Sequence, residues 1–213
     1  MQQRGDAIEV VAGRKLRGRV ASLLSAPAGG GEYGFVTQAV EALELTYDGI
    51  PGDRHAGLAR EAGSREPWYP RGSAMRNERQ LSLVAVDELR EIARRLDVPE
   101  LRAEWIGANI VADGLPHFSM LPAGTRLFFE GGAVVVIDTQ NAPCRFAGRS
   151  IADNYPTRPD IELAFAKVAR RLRGLVGWVE RPGAIATGAA VTAKVREQWI
   201  YPVERVVTDG LPL

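Results

Sequence analysis

Hydrophobic positions along the chain fall into many short runs, most of strand length and two of helical period. Residues 16–26 read as a first strand, broken by Pro27 and by Gly29-Gly30-Gly31. Residues 40–46 alternate, with Leu43 and Leu45 on one face, and residues 81–84 form another short apolar run; both read as strands. Residues 85–96 place Ala85, Leu89, Ile92 and Leu96 on one helical face, and Asp97 and Pro99 end that helix. Residues 105–112 mix a strand with a Gly107-Ala108-Asn109 interruption. Residues 125–130 and 133–139 form the clearest hairpin, with Gly131-Gly132 expected to supply the positive φ angles of a two-residue turn. Residues 161–173 read as a second helix, capped by Asp160 and stopped by Gly174. Residues 175–181 and 190–195 are closing strands, with Pro182-Gly183 between them.

These elements predict a mainly β fold: a closed or partly open antiparallel β-barrel with a few peripheral α-helices. The helices do not alternate with the strands, which excludes a doubly wound parallel sheet. Residues 1–15 are polar and expected to be a flexible N-terminus. Residues 16–213 are expected to be one domain, with a C-terminal extension after about residue 195. The long aperiodic stretch 58–78 is too long for an idle connection in a small domain and points to a functional loop.

A length of 213 residues suits one domain. Lys plus Arg is 27 against 26 for Asp plus Glu, a net charge of +1, so no global basic field draws the chain to nucleic acid or a membrane surface. No apolar run approaches the ~20 residues of a membrane span, and the first residues carry no hydrophobic signal region. One cysteine, Cys144, cannot close an internal disulfide or build a multi-cysteine zinc site. The expected compartment is the cytoplasm.

Candidate chemistry concentrates in a few places. Gly29-Gly30-Gly31-Glu32-Tyr33-Gly34 matches a dinucleotide-binding glycine pattern in form, but no helix-opening sequence follows, and a glycine turn is the better reading. Cys144 follows a strand, between Pro143 and Arg145. It reads either as a small buried hydrophobe or as a thiol whose anion a neighbouring arginine favours, suited to electrophiles and soft metals. Asp53-Arg54-His55 sits in a glycine-rich loop, either a surface turn with an Asp–Arg pair or a charged loop facing an anion. Arg65, Arg71, Arg76 and Arg79 surround Trp68 and Tyr69; Arg79 runs into a strand and is the one expected to point into a site. Arg170, Arg171 and Arg173 read as a solvated helix face, and His117 as a loop residue.

Taken together and in order, these motifs resemble the MOSC domain family, named after the C-terminal part of molybdenum cofactor sulfurases. The resemblance runs through Gly52-Asp53-Arg54-His55-Ala56-Gly57, Arg79-Gln80-Leu81-Ser82-Leu83, Gly107-Ala108-Asn109-Ile110-Val111, Leu121-Pro122-Ala123-Gly124-Thr125-Arg126-Leu127, Pro143-Cys144 and a closing segment at 174–191. It departs at Ala108, where the family has Glu, and at Thr125, where it has Asp. The resemblance implies a barrel of the pyruvate-kinase-barrel type and binding of molybdenum cofactor (molybdopterin). It makes Cys144 the metal ligand and catalytic thiol, with Arg54, His55, Arg79, Asn109 and Arg145 contacting cofactor. Two activities follow from it. One is reduction of N-hydroxylated compounds with electrons from a partner reductase. The other is carriage of a persulfide or of cofactor without turnover, fed by a sulfur donor of the cysteine-desulfurase kind. A non-catalytic interaction barrel is the third reading, and no pyridoxal phosphate site is expected in this chain.

Overall fold

The computed structural model describes residues 8–26 and 35–200. In chain order, β1 (Val10–Val11) and β2 (Arg14–Ser25) are followed by β3 (Gln38–Val40), β4 (Ala42–Leu45), β5 (Ala59–Glu61), β6 (Ala74–Arg76) and β7 (Leu81–Ala85). Next come α1 (Val86–Leu96), β8 (Ile110–Asp113), β9 (Arg126–Phe129), β10 (Val134–Gln140), α2 (Arg145–Ala152) and α3 (Ile161–Val168). The described chain ends with β11 (Leu175–Arg181), β12 (Gly183–Ala186), β13 (Ala190–Val195) and β14 (Gln198–Trp199). The glycine pattern at 29–34 lies outside the described residues. Among the described residues no helix is long and apolar enough to cross a membrane.

Seven strands close the barrel in the order β2–β13–β9–β10–β11–β7–β8 and back to β2. Closure leaves no open sheet edge around the core. The long β2 makes this possible by serving two neighbours: its first half pairs with β13, and its second half turns to β8 and β3 across an irregularity between Val20 and Ser22. Six of the seven contacts are antiparallel. The exception is β7–β8, which is parallel, so the barrel is mixed. The reason is α1: a strand–helix–strand crossover returns the chain in the same direction.

β7 shows how sequence becomes two cores. All five of its residues are buried. Leu81, Leu83 and Ala85 point into the barrel with Leu23, Leu127, Val135 and Ile137. Val84 points outward, where Leu24 and Val111 join Ile92, Ile151, Ile161 and Phe165 of the three helices. A strand covered on both faces loses its polar alternation and reads as a continuous apolar run. α1 buries Leu89, Ile92 and Leu96 as expected from their spacing, and Asp97 ends it in the left-handed conformation at φ 54°.

Four local expectations need correction. The turn at 131–132 has one positive φ, at Gly132 (89°). Gly131 is required instead by close approach, since a Cβ there would lie 2.2 Å from the Ala184 carbonyl oxygen. The second helix stops at Val168, five residues short of expectation, and the chain turns through Arg171 at φ 66°. Asp160 is the N-cap residue of that helix through its carbonyl, which accepts from Ala164 N–H, but its side chain makes no capping bond; the carboxylate accepts from Arg158 at 2.9 Å instead. Finally, 182–186 is no simple turn, because β12 pairs with β4 and sets Ile185 opposite Leu43 over the barrel core. α2 was unexpected altogether. Its interior Gly148 weakens local helix propensity but permits the close crossing with α3, where a Cβ would meet the Glu162 carbonyl oxygen at 2.4 Å.

Within the stretch expected to be a flexible N-terminus, Val10–Val11 pair with Gln198–Trp199, and Arg14 and Lys15 open β2.

Candidate functional site

One end of the barrel carries a cavity of about 420 Å³, where the loop after β4, the start of β7, the end of β10 and the turn into β11 converge. Its lining includes Arg54, His55, Arg79, Asn141, Cys144 and Arg173.

The β4–β5 loop is built around Asp53. Tight turns fold it, with Ala56 N–H donating to the Asp53 carbonyl and Gly57 N–H to that of Asp48. The Asp53 side chain is fully buried. One carboxylate oxygen accepts from the His55 backbone N–H at 2.9 Å and lies 3.1 Å from the His55 ring Nδ1. The other accepts from Asn109 Nδ2 at 3.1 Å and from Ala26 N–H at 3.3 Å. Burial pushes the carboxyl up, but the bonds from His55 and Ala26 outweigh it and hold the group below its ordinary value. The expected Asp53–Arg54 pair does not form; Arg54 lies over the Phe35 ring and its Nε reaches His55 Nε2 at 3.3 Å. Gln80 locks the loop to the barrel, donating to the carbonyls of Tyr47 and Gly57 and accepting from Val179 N–H at 2.9 Å.

The long 58–78 stretch is a hairpin of β5 and β6 beside the cavity, and it delivers Arg60 and Arg65 to the lining. Arg60 pairs with Glu66 at 2.6 Å, which holds that carboxyl at about 2. Asn77 anchors the hairpin base, donating to the carbonyls of His55 and Gly57.

Among the described residues, five guanidiniums therefore line the cavity and no carboxylate does. Among the described residues, Arg54, Arg65, Arg79 and Arg173 have no acidic partner within 4.0 Å. Burial, then repulsion from Arg65 and Arg60, lowers Arg79 to about 10. Burial lowers Arg173 likewise to about 10, opposed by the nearby Cys144 and reinforced by Arg79 and Arg65. Both stay charged at neutral pH. Arg60 Nε is buried without a hydrogen-bond partner among the described residues.

Cys144 is half-buried at the cavity wall and caps the N-terminus of α2, its carbonyl accepting from Gly148 N–H. Asn141, just past the irregular end of β10, crosses the floor. It accepts from Arg79 at 3.3 Å, donates to Ser82 Oγ at 3.1 Å, and its backbone N–H bonds the Gly174 carbonyl.

The expected site residues thus divide. Arg54, His55, Arg79 and Cys144 meet at one cavity. Asn109 is fully buried behind it, accepting from Ser82 N–H and donating to Asp53, so it supports the loop rather than lining the cavity. Arg145 turns away, 71% exposed, and pairs with Glu162 of α3. Arg145→Ala is therefore expected to leave anion or cofactor uptake at the wild-type level and to shift the denaturation midpoint little, as ligand titration and urea unfolding would check. Arg173, read as solvated, is 4% exposed and faces inward. Asn77, Arg60 and Asn141 also entered the site without being singled out. His117 is exposed and outside it.

The MOSC domain family model matches residues 55–192. A Bacillus subtilis protein named "Putative metal-sulfur cluster biosynthesis proteins YuaD" is 43% identical over 154 residues, spanning 72% of this chain and 80% of that protein. The crystal structure of the YUAD protein from Bacillus subtilis superposes with a TM-score of 0.82 at 37% identity, covering 86% of this chain and 98% of that one. YiiM from Geobacillus stearothermophilus shares the fold alone, with a TM-score of 0.53 at 15% identity over 90% of this chain and 77% of its own.

Proposed function

Because the chain belongs to the MOSC domain family, we propose that its arginine-lined cavity binds an anionic molybdenum- and sulfur-bearing cofactor, with Cys144 supplying the protein sulfur. The observation that carries this is a cavity lined by Cys144 and five guanidiniums, four of which have no acidic partner within 4.0 Å among the described residues. Guanidinium forks match phosphate oxygens in pairs, and a thiol is a soft donor suited to molybdenum. The residues present therefore fit the group: the buried, unpartnered Arg60 Nε is a donor awaiting an acceptor.

In this reading Arg54, Arg60 and Arg65 take the phosphate side, Arg79 and Arg173 the inner polar side, and His55, oriented by Asp53, positions Arg54 through its other ring nitrogen. Molybdenum, when bound, supplies two-electron redox chemistry, and N-hydroxylated compounds are the proposed oxidants, with electrons from a partner reductase.

Sulfur carriage is the second reading, favoured by the half-exposed position of Cys144 and by the printed name of the 43% identical relative. Here the Cys144 sulfur attacks a donor persulfide. The donor S–S bond breaks, a new S–S bond forms on Cys144, and the donor thiol leaves with no net oxidation.

Protein expressed with molybdate in a cofactor-producing host separates the two. Near-stoichiometric molybdenum in wild type, lost in Cys144→Ser, supports the metal-ligand reading. Intact mass showing one added sulfur, lost on reduction and absent from Cys144→Ser, supports carriage. Neither signal would contradict both.

A further inference from the structure

We infer that the floor of the cavity is a subsite for a small oxyanion, built from the guanidiniums of Arg79 and Arg173 and the bridging amide of Asn141. The inference rests on the proposed function and deepens it, by naming a ligand chemistry for Arg79 and Arg173, the two arginines which that reading places on the inner polar side.

The argument begins with Arg173. It is 4% exposed and bonds only neutral groups, Ser82 Oγ at 3.4 Å and the Ile106 carbonyl. Among the described residues no carboxylate lies within 4.0 Å of it. A cation taken out of water without a counter-ion is costly, and buried charges are ordinarily paired. Arg79 repeats the pattern, with its printed side-chain bond going to the neutral oxygen of Asn141. The two guanidiniums repel each other, and Arg65 repels both. Each guanidinium carries five N–H donors, while Arg79 spends one and Arg173 two on side-chain bonds. Donors and charge are left over, in a cavity wall shared with Cys144.

Asn141 fixes the spacing. Its oxygen takes Arg79 and its amide nitrogen takes Ser82 Oγ, the same hydroxyl that accepts from Arg173. This chain of bonds links the two guanidiniums through neutral groups, without neutralising either. A tetrahedral oxyanion would complete it through paired N–H···O bonds. Two sources share that chemistry: free inorganic oxyanion, and the oxyanion portion of a bound cofactor. A purely structural Arg173, tying the Ile106 carbonyl to Ser82 of β7, makes the opposite stability prediction.

The test uses the full chain shown by elemental analysis to be free of molybdenum, with sodium phosphate or molybdate titrated at constant ionic strength and thermal unfolding as the readout. Wild type is expected to show a saturable rise in Tm, on the order of 5 °C at a hundredfold excess over Kd. Arg173→Met should lose that rise while unfolding no lower than wild type without anion, because an unpaired buried cation has been removed. Arg79→Gln should weaken the anion at least tenfold and serves if Arg173→Met does not fold. Arg145→Ala, outside the cavity, should keep the response. No saturable rise in wild type, or an unchanged response in Arg79→Gln, would overturn the inference. So would an Arg173→Met that loses stability but keeps the anion. Competition between phosphate and bound cofactor assigns the subsite to the cofactor's own oxyanion, and independent binding assigns it to the free anion. A Cys144→Ser result that defeats the proposed function leaves this inference standing if the anion response persists.

Discussion

Gly174→Ala is expected to cost about 2–5 kcal/mol and to yield little folded protein. Two independent effects add. Gly174 holds φ at +90°, a region that costs an L-residue roughly 1–2 kcal/mol. A Cβ there would also lie 2.0 Å from the Leu83 carbonyl oxygen, so β7 and the turn into β11 would have to separate, an overpacking cost of about 1–3 kcal/mol. The same residue ties the fold to the site: its N–H donates to Ser119 Oγ at 2.8 Å, and its carbonyl receives Asn141 N–H. Ser119 is itself clamped by the buried Glu88 of α1. Urea unfolding of purified protein checks the stability cost. Wild-type stability for this variant would mean that the turn before β11 is not built as described.

Asp53→Ala is the second large effect. The alanine removes the acceptor for the backbone N–H groups of Ala26 and His55 and for the Asn109 amide, three donors left in a buried place. The expected loss is roughly 3–5 kcal/mol, with His55 freed from its orienting carboxylate. The pH dependence carries the sign. The folded carboxyl titrates below its ordinary value of 3.8, so its contribution is full above that value and fades as pH falls through the lowered one. The gap in stability between wild type and Asp53→Ala should therefore be constant near neutrality and narrow under acid. A gap that widened as pH fell would contradict this assignment.

Much of the barrel was legible because its strands carry their own signals: the 125–139 hairpin, the apolar run at 81–84, and the one-faced helix at 85–96. What was not legible depended on distant contacts. α2 forms despite Gly148 because α3 lies against it, and β12 exists because β4 is there to pair with. Arg173 was misread for a related reason. The helical pattern of 161–173 runs unbroken in sequence, but the helix ends at Val168, and the turn through Arg171 swings Arg173 inward. Its place directly before Gly174 and a strand of buried residues was the available signal. Asn109 and Arg145 were misplaced differently. Motif position brought them near the site, and only side-chain partners separate a buried support from an exposed ion pair. Arg54 and His55, Arg79 and Cys144, from three separate stretches of the sequence, do share one cavity.

The most direct test of the account is elemental analysis for molybdenum and phosphorus per chain, on wild type and on an Arg54→Gln/Arg79→Gln variant purified from the same molybdate-fed, cofactor-producing host. The arginine cavity predicts both elements near one per chain in wild type and both lost together in the variant, with the fold intact by circular dichroism. Equal content in the two proteins, or neither element in wild type, would contradict the claim that this cavity holds the cofactor.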